Sequence, residues 1–385
     1  MFAKAGLAGV LLYVLYKEEI RTFIEKILRK EGDRVMNKKL LGAAALMAMA
    51  AVMAAGCGGG DKKAAAPAAD AKKGPSGEVS VYTSIYPDIV DKLCKPNVSK
   101  AFPNLKVTWF QNGTEKLKTK IAGEIKAKKI GADVLMVADP SYYLALKKQG
   151  LLMNYKSPQL KDVVLASDPD GAWLPVRVNN MIIAYNKDKL AKEDIPTSWE
   201  DLTKPKYKGK IAMPNPMLSG TAYVMVGAMA LDSRFGWDYF KKLKANGLRV
   251  EEGNSAIQNK LLTGEYMAAV ILEENILKLQ ETKKEPLAVC YPKEGCIIIN
   301  SPIGIFKDTK NPEAAKALVD WWLSPEGQKA VTAGWMHSVR GDVNPPNGAG
   351  IKLADLNKNA IKIDWEKLAF EEGKIKEAFR TTVME

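Results

Sequence analysis

The sequence predicts an α/β fold built on parallel β-sheet and divided into two lobes. Three observations lead there. β-rich and helix-periodic segments alternate from residue 79 to residue 137. The alternation resumes from residue 181 to residue 323. The 385 residues exceed what one hydrophobic core usually serves. An apolar fraction of 47% with 26% charged residues excludes a mainly disordered or fibrous chain. A single His removes most histidine-based catalysis and His-rich metal sites, and four Cys are too few for a disulfide-framed fold.

The first element is a targeting segment. Met36-Asn37-Lys38-Lys39 is a basic start, Leu40 to Ala55 carries no charge, and Ala54-Ala55-Gly56 precedes Cys57. That is a charged n-region, an apolar h-region and a small-residue cleavage site. A Cys directly after the small residues resembles a bacterial lipoprotein signal, where the thiol takes the lipid. Ala54 stands where the commoner signal has Leu. A plain membrane anchor or a soluble secreted protein is the alternative, but about 16 apolar residues are short for a span of ~20. Residues 1–35 read as an upstream extension ahead of the true start at Met36, and 36–56 as the signal peptide. Residues 57–78, rich in Gly, Asp, Lys, Ala and Pro, read as a flexible tether. The formal charge of +13 includes +4 from residues 1–56, so the mature chain favours anionic ligands or surfaces.

The folded part then runs strand by strand. Val79-Ser80-Val81-Tyr82 is a strand, followed by an apolar stripe at Val90, Cys94, Val98 and Phe102 that Pro96 should break. Leu105, Val107 and Trp109 alternate as a second strand. Leu117, Ile121 and Ile125 share one helical face, and Ala132 to Val137 is a buried strand ending at Asp139-Pro140. In the second half, Met181 to Tyr185, Ile211-Ala212-Met213 and Met267 to Leu272 read as strands. Thr221 to Leu231 and Trp237 to Lys244 read as helices. Leu287 to Tyr291 and Cys296 to Ile299 flank the turn Pro292-Lys293-Glu294-Gly295. Pro312 to Leu323 is a helix with Pro in its first turn, and residues 364–380 give a last amphipathic helix.

The candidate chemistry lies at strand ends, where open α/β sheets bind ligands. Asn215-Pro216-Met217-Leu218-Ser219-Gly220-Thr221 follows a strand and opens a helix. Ser219 can cap the helix, Gly220 lets backbone approach a ligand, and the free first-turn N–H groups favour an anion. An ordinary capped helix is the plainer reading. Thr83-Ser84, Asn112-Gly113-Thr114 and Asp139 occupy three more strand-end turns, each also readable as loop chemistry. Arg177 either pairs with an anion or is a surface charge. Glu273-Glu274-Asn275 either binds a cation or amine or simply begins the next helix with favourable charge. Cys290 and Cys296 flank a tight turn and are expected to form a disulfide after export, with two buried thiols as the alternative. Cys94 reads as a free core thiol and His337 as a packing residue. No Walker loop, HExxH or GxSxG motif occurs.

Lys208-Gly209-Lys210-Ile211-Ala212, Asn215-Pro216, Ser219-Gly220-Thr221, and the run Asn311-Pro312-Glu313-Ala314-Ala315-Lys316-Ala317-Leu318-Val319-Asp320 through Leu323-Ser324-Pro325-Glu326-Gly327-Gln328 closely resemble the family-1 extracellular solute-binding proteins of ABC importers. More narrowly they resemble the group containing ferric-ion-binding, 2-aminoethylphosphonate-binding and phosphorylated-sugar-binding proteins. The similarity covers residues 79–345. It implies a two-lobed periplasmic-binding-protein fold of the class II type, with crossings near Pro175–Asn180 and Tyr291–Ser301. Lobe one would hold 79–177 and 301–385, and lobe two 178–300. It implies a site made from Thr83, Ser84, Asn112, Gly113, Thr114, Asp139, Ser219, Gly220, Thr221, Glu273 and Glu274, with Arg177 beside it. Ferric-binding relatives place adjacent tyrosines at the position held here by Glu273-Glu274, while Tyr142-Tyr143 sits in the helix after Asp139. The expected cargo is therefore a phosphonate or phosphate ester, with iron(III) as the rival. A secreted phosphate-ester hydrolase and a lipid-tethered adhesin are the other function classes. The expected partners are a permease, its ATPase and the membrane through Cys57. No cofactor, metal or nucleic acid is expected, and the chain is expected to be a monomer.

Overall fold

A computed structural model of the chain describes residues 74–385. The extension, the signal peptide and Cys57 lie outside the described residues. Gly77–Thr83 (β1) pairs in parallel with Leu105–Gln111 (β2) on one edge and Val134–Met136 (β3) on the other. The connection from β1 to β2 stays helical from Pro87 to Ala101 and does not break at Pro96. Val90–Cys94 is a π-turn in which the Lys95 N–H reaches the Val90 carbonyl. The wider turn accommodates the proline ring and its missing N–H just ahead of Lys95–Ala101 (α1). Thr114–Lys126 (α2) buries Leu117 and Ile121, and Pro140–Lys148 (α3) follows β3.

Leu174–Asn186 (β4) is the longest strand, and every residue but Tyr185 is buried. Its first half pairs antiparallel with Ile297–Ile305 (β9), from Leu174 opposite Ile303 to Met181 opposite Ile297. Its second half pairs with Ala268–Leu272 (β7) and Leu287–Cys290 (β8). Ile211–Pro214 (β5) lies parallel to both β7 and Arg249–Glu251 (β6). The strand order is β2-β1-β3-β9-β4-β7-β5-β6, with β8 also on β4. Strands β4 and β9 thus carry the chain between two parallel groups, as buried strands with near-continuous apolar runs can.

Helices cover both groups. Gly220–Leu231 (α4), Gly236–Ala245 (α5), Asn254–Thr263 (α6) and Glu273–Lys283 (α7) pack on the second. Pro312–Leu323 (α8) and Pro325–Ala333 (α9) pack by Leu318, Trp322 and Val331 on the core shared with β1. The chain ends through Leu353–Lys358 (α10), Trp365–Phe370 (α11) and Glu372–Phe379 (α12). These last helices pack against residues of both expected lobes. Leu368, Phe379 and Val383 join the core of Met213, Tyr223 and Phe240. Gly227 leaves room for the Leu368 side chain, and the Phe379 ring stands 5.8 Å from Phe240. The last helices therefore touch both sides: Leu368, Phe379 and Val383 find partners on α4 and α5, while α11 lies against α3 and Glu372 pairs with Lys118 at 2.6 Å.

The expected Cys290–Cys296 disulfide is absent; both residues are free thiols, as is Cys94. The expectation required the flanking strands to pair with each other. Instead β8 and β9 follow one another along the same edge of β4, with Cys290 opposite Ile183 and Ile297 opposite Met181. Residues 291–296 leave one strand line and rejoin it. Burial pushes both thiols up to about 12.

Candidate functional site

The carboxyl ends of the strands and the helices that follow them surround a cleft of about 310 Å³. From the β1 and β2 ends come Ser84 and Asn112-Gly113-Thr114; from the other side come Ser219-Gly220-Thr221. Helices α2 and α4 begin here, facing each other: a Cβ on Gly220 would sit 2.6 Å from Thr114 Cγ2. Ser219 caps α4 by accepting from the Ala222 N–H at 3.4 Å, and its hydroxyl lies 3.1 Å from that of Thr221. A third helix, α6, opens onto the cleft through Gly253, Asn254 and Ser255. Neither α2 nor α6 has a side-chain cap, so their first N–H groups remain for a ligand. Three helix N-termini around one space favour negative charge. Lys116 adds a cation on the α2 wall.

The back wall comes from β4. Arg177 and Asn179 point the same way, two residues apart on a strand. Arg177 is only 3% exposed. Its Nη1 donates to Asn179 Oδ1 at 3.1 Å and to Met336 Sδ at 3.2 Å, and its Nη2 donates to Ser84 Oγ at 3.2 Å. Its Nε has no partner. A buried guanidinium N–H left unpaired is a costly feature that an oxyanion would satisfy. Asn179 Nδ2 donates to Glu274 Oε1. Glu274 is 6% exposed, and burial pushes its carboxyl up to about 7 against the pull of Arg177.

The cleft thus gathers Ser84, Asn112, Gly113, Thr114, Arg177, Ser219, Gly220, Thr221 and Glu274. Three candidates lie elsewhere. Thr83 turns inward, its hydroxyl donating to the Met136 carbonyl. Asp139 caps α3, accepting from the Ser141 N–H at 3.0 Å and from Lys118 Nζ at 3.1 Å. Glu273 faces away from Glu274, accepting from Asn180 Nδ2 at 3.1 Å and from the Tyr291 hydroxyl. It also lies 2.9 Å from Nε2 of the buried His337. Tyr143 is fully buried, its hydroxyl between the Leu135 and Pro302 carbonyls, and neither it nor Tyr142 lines the cleft. Residues 254–256, Tyr86 and Asn179 line the cleft unanticipated. Tyr86 donates to Asn275 Oδ1 at 3.1 Å, tying the β1 turn to α7. The signal for Asn179 was present: Arg177 and Asn179 are polar at alternate positions of a mostly apolar strand.

Known proteins resemble this chain in sequence and in fold. The profile of the family described as bacterial extracellular solute-binding protein matches residues 130–364. A probable ABC transporter periplasmic-binding protein of Sinorhizobium fredii is 26% identical over 247 residues, covering 62% of this chain and 69% of the relative. A putative 2-aminoethylphosphonate-binding periplasmic protein of Salmonella typhimurium is 27% identical over 224 residues, covering 56% of this chain and 64% of the relative. Among solved structures, the periplasmic binding protein AfuA of Actinobacillus pleuropneumoniae with fructose-6-phosphate bound superposes with a TM-score of 0.70. It is 24% identical and covers 80% of this chain and 98% of its own. Iron-bound HitA of Pseudomonas aeruginosa gives 0.69 at 22% identity, covering 80% of this chain and 99% of its own.

Proposed function

Because the chain belongs to the bacterial extracellular solute-binding proteins, we propose that it captures a small anionic solute, a phosphonate or phosphate ester, and delivers it to the permease and ATPase of an ABC importer. The observation that carries this reading is Arg177, a buried cation with an unpaired Nε at the back of a cleft ringed by the first turns of α2, α4 and α6. The hydroxyls of Ser219 and Thr221 add donors opposite, and Glu274 offers an acceptor for an amine or hydroxyl of the same solute.

The mechanism is capture. Residues 79–177 and 178–300 form two lobes that hinge where β4 and β9 cross. A solute touching Arg177 and Ser84 on one side and Ser219–Thr221 on the other makes its full set of contacts only when the lobes are together. It therefore shifts the population towards closure, and the closed face is what the permease reads. The protein works on the outer side of the membrane, in the periplasm or tethered by a lipid on Cys57. It acts as a monomer, without turnover; the lone His337 pairs with Glu273 behind the cleft.

The donor set weighs against iron(III) as cargo. Hard ferric sites need several anionic oxygen donors, and Tyr86 is the one tyrosine on the cleft among the described residues. Calorimetry with a panel of phosphonates and phosphate esters, alongside ferric citrate, tests the reading. Binding within the panel supports it. Tight iron binding with none across the panel reverses it.

A further inference from the structure

Asn179 stands between the two charges of the cleft. Its Oδ1 accepts from Arg177 Nη1 at 3.1 Å, and its Nδ2 donates to Glu274 Oε1. Ser301 Oγ donates to the same Oδ1 from β9. A guanidinium only donates and an ionised carboxylate only accepts, so one amide orientation serves all three neighbours. All four residues lie within the buried wall, where opposite charges attract strongly. Without an intervening amide, Arg177 and Glu274 would pair with each other. Neither would then be free to recognise a solute. With it, Arg177 keeps Nε unpartnered, and Glu274 gives only one oxygen to the amide.

We propose that Asn179 is a positioning residue that holds Arg177 and Glu274 apart, and so sets the preference of the cleft for a solute carrying both an oxyanion and a protonated amine. The inference rests on the anion-binding reading above and adds to it the residue that enforces charge pattern. The groups that act on Glu274 are Arg177 and Asn179 from β4, Glu273 from its own helix and Tyr86 from the β1 turn.

The test uses two probes that differ only by an amine, 2-aminoethylphosphonate and ethylphosphonate. Calorimetry on the purified chain measures both with wild type, N179A and N179D, after thermal unfolding has shown that the variants fold. Wild type prefers the amine probe by about tenfold or more at about pH 8, and the preference fades below about pH 7 as Glu274 takes a proton. In N179A the two charges pair directly and the ratio falls towards one. N179D keeps an acceptor for Arg177 and Ser301 but loses the donor to Glu274 and adds a like charge. Its ratio also falls, and what preference survives sets in at higher pH. General damage to packing would weaken both probes together, leaving the ratio and its pH dependence unchanged; that outcome overturns the assignment. Equal wild-type affinity for the two probes overturns it too, while leaving the anion reading intact. Binding of neither probe by wild type overturns both.

Discussion

Gly220 and Thr114, each in the first turn of its own helix, meet so closely across the cleft that a methyl group at position 220 would lie 2.6 Å from Thr114 Cγ2 and 2.8 Å from its Cβ. Thr114 is β-branched and cannot swing its Cβ aside. G220A must therefore push the starts of α2 and α4 apart. The cost falls on the closed cleft, and solute affinity drops by about 1–3 kcal/mol. Calorimetry reads the loss, and adding T114S, which trims the opposing side chain, recovers part of it. Affinity in G220A equal to wild type would mean that these two helix starts do not approach each other in the bound form.

The hydroxyls of Ser219 and Thr221 stand 3.1 Å apart at the start of α4. Replacing both by Ala removes two donors to a charged ligand and lowers phosphonate or phosphate-ester affinity by about 1–3 kcal/mol. Loss of the Ser219 cap also destabilises α4 by roughly 0.5–2 kcal/mol. S219G keeps the Thr221 donor at a smaller capping cost and separates the two effects. Titration of all three proteins with the same phosphonate checks the order.

Much of this was legible in the sequence. The strand–helix rhythm and the turns after β1, β2 and β5 located the cleft, because in parallel sheets those turns share one edge. What the sequence did not carry was side-chain direction within a turn. Thr83 and Ser84 are neighbours, yet one hydroxyl enters the sheet and the other faces the cleft. Glu273 and Glu274 divide in the same way on the first turn of α7. Asp139 went to Ser141 and Lys118, a demand set by residues elsewhere in the chain. Asn254 and Ser255 were missed because β6 is only three residues long and gives no periodic signal ahead of them. The disulfide expectation failed for a topological reason: two strands flanking a turn need not pair with each other.

Glu274 makes stability depend on pH. Its carboxyl sits at about 7 in the fold because burial disfavours the charge. An unfolded glutamate releases its proton near about pH 4.3. Between those values the folded state holds a proton that the unfolded state gives up, so stability falls as pH rises and the deficit is complete above about pH 7. E274Q is neutral throughout and escapes that deficit. It should be more stable than wild type by about 1–3 kcal/mol at about pH 8 and no more stable at about pH 4. Denaturant unfolding at the two pH values decides; an advantage that does not grow with pH would place the Glu274 titration elsewhere.

The thiols offer a check on topology. Cys94, Cys290 and Cys296 are all free. Protein denatured without reductant should take an alkylating label at each of the three, read by peptide mass spectrometry. A Cys290–Cys296 peptide resistant to labelling until reduction would show that β8 and β9 bring these residues together after all.

The most direct test is a crystal structure of the protein with the solute it retains on purification. An anionic group held between Arg177 and the Ser219–Thr221 turn is the expected result. Cargo bound elsewhere, or a ferric ion coordinated by cleft oxygens with that turn empty, would contradict the account.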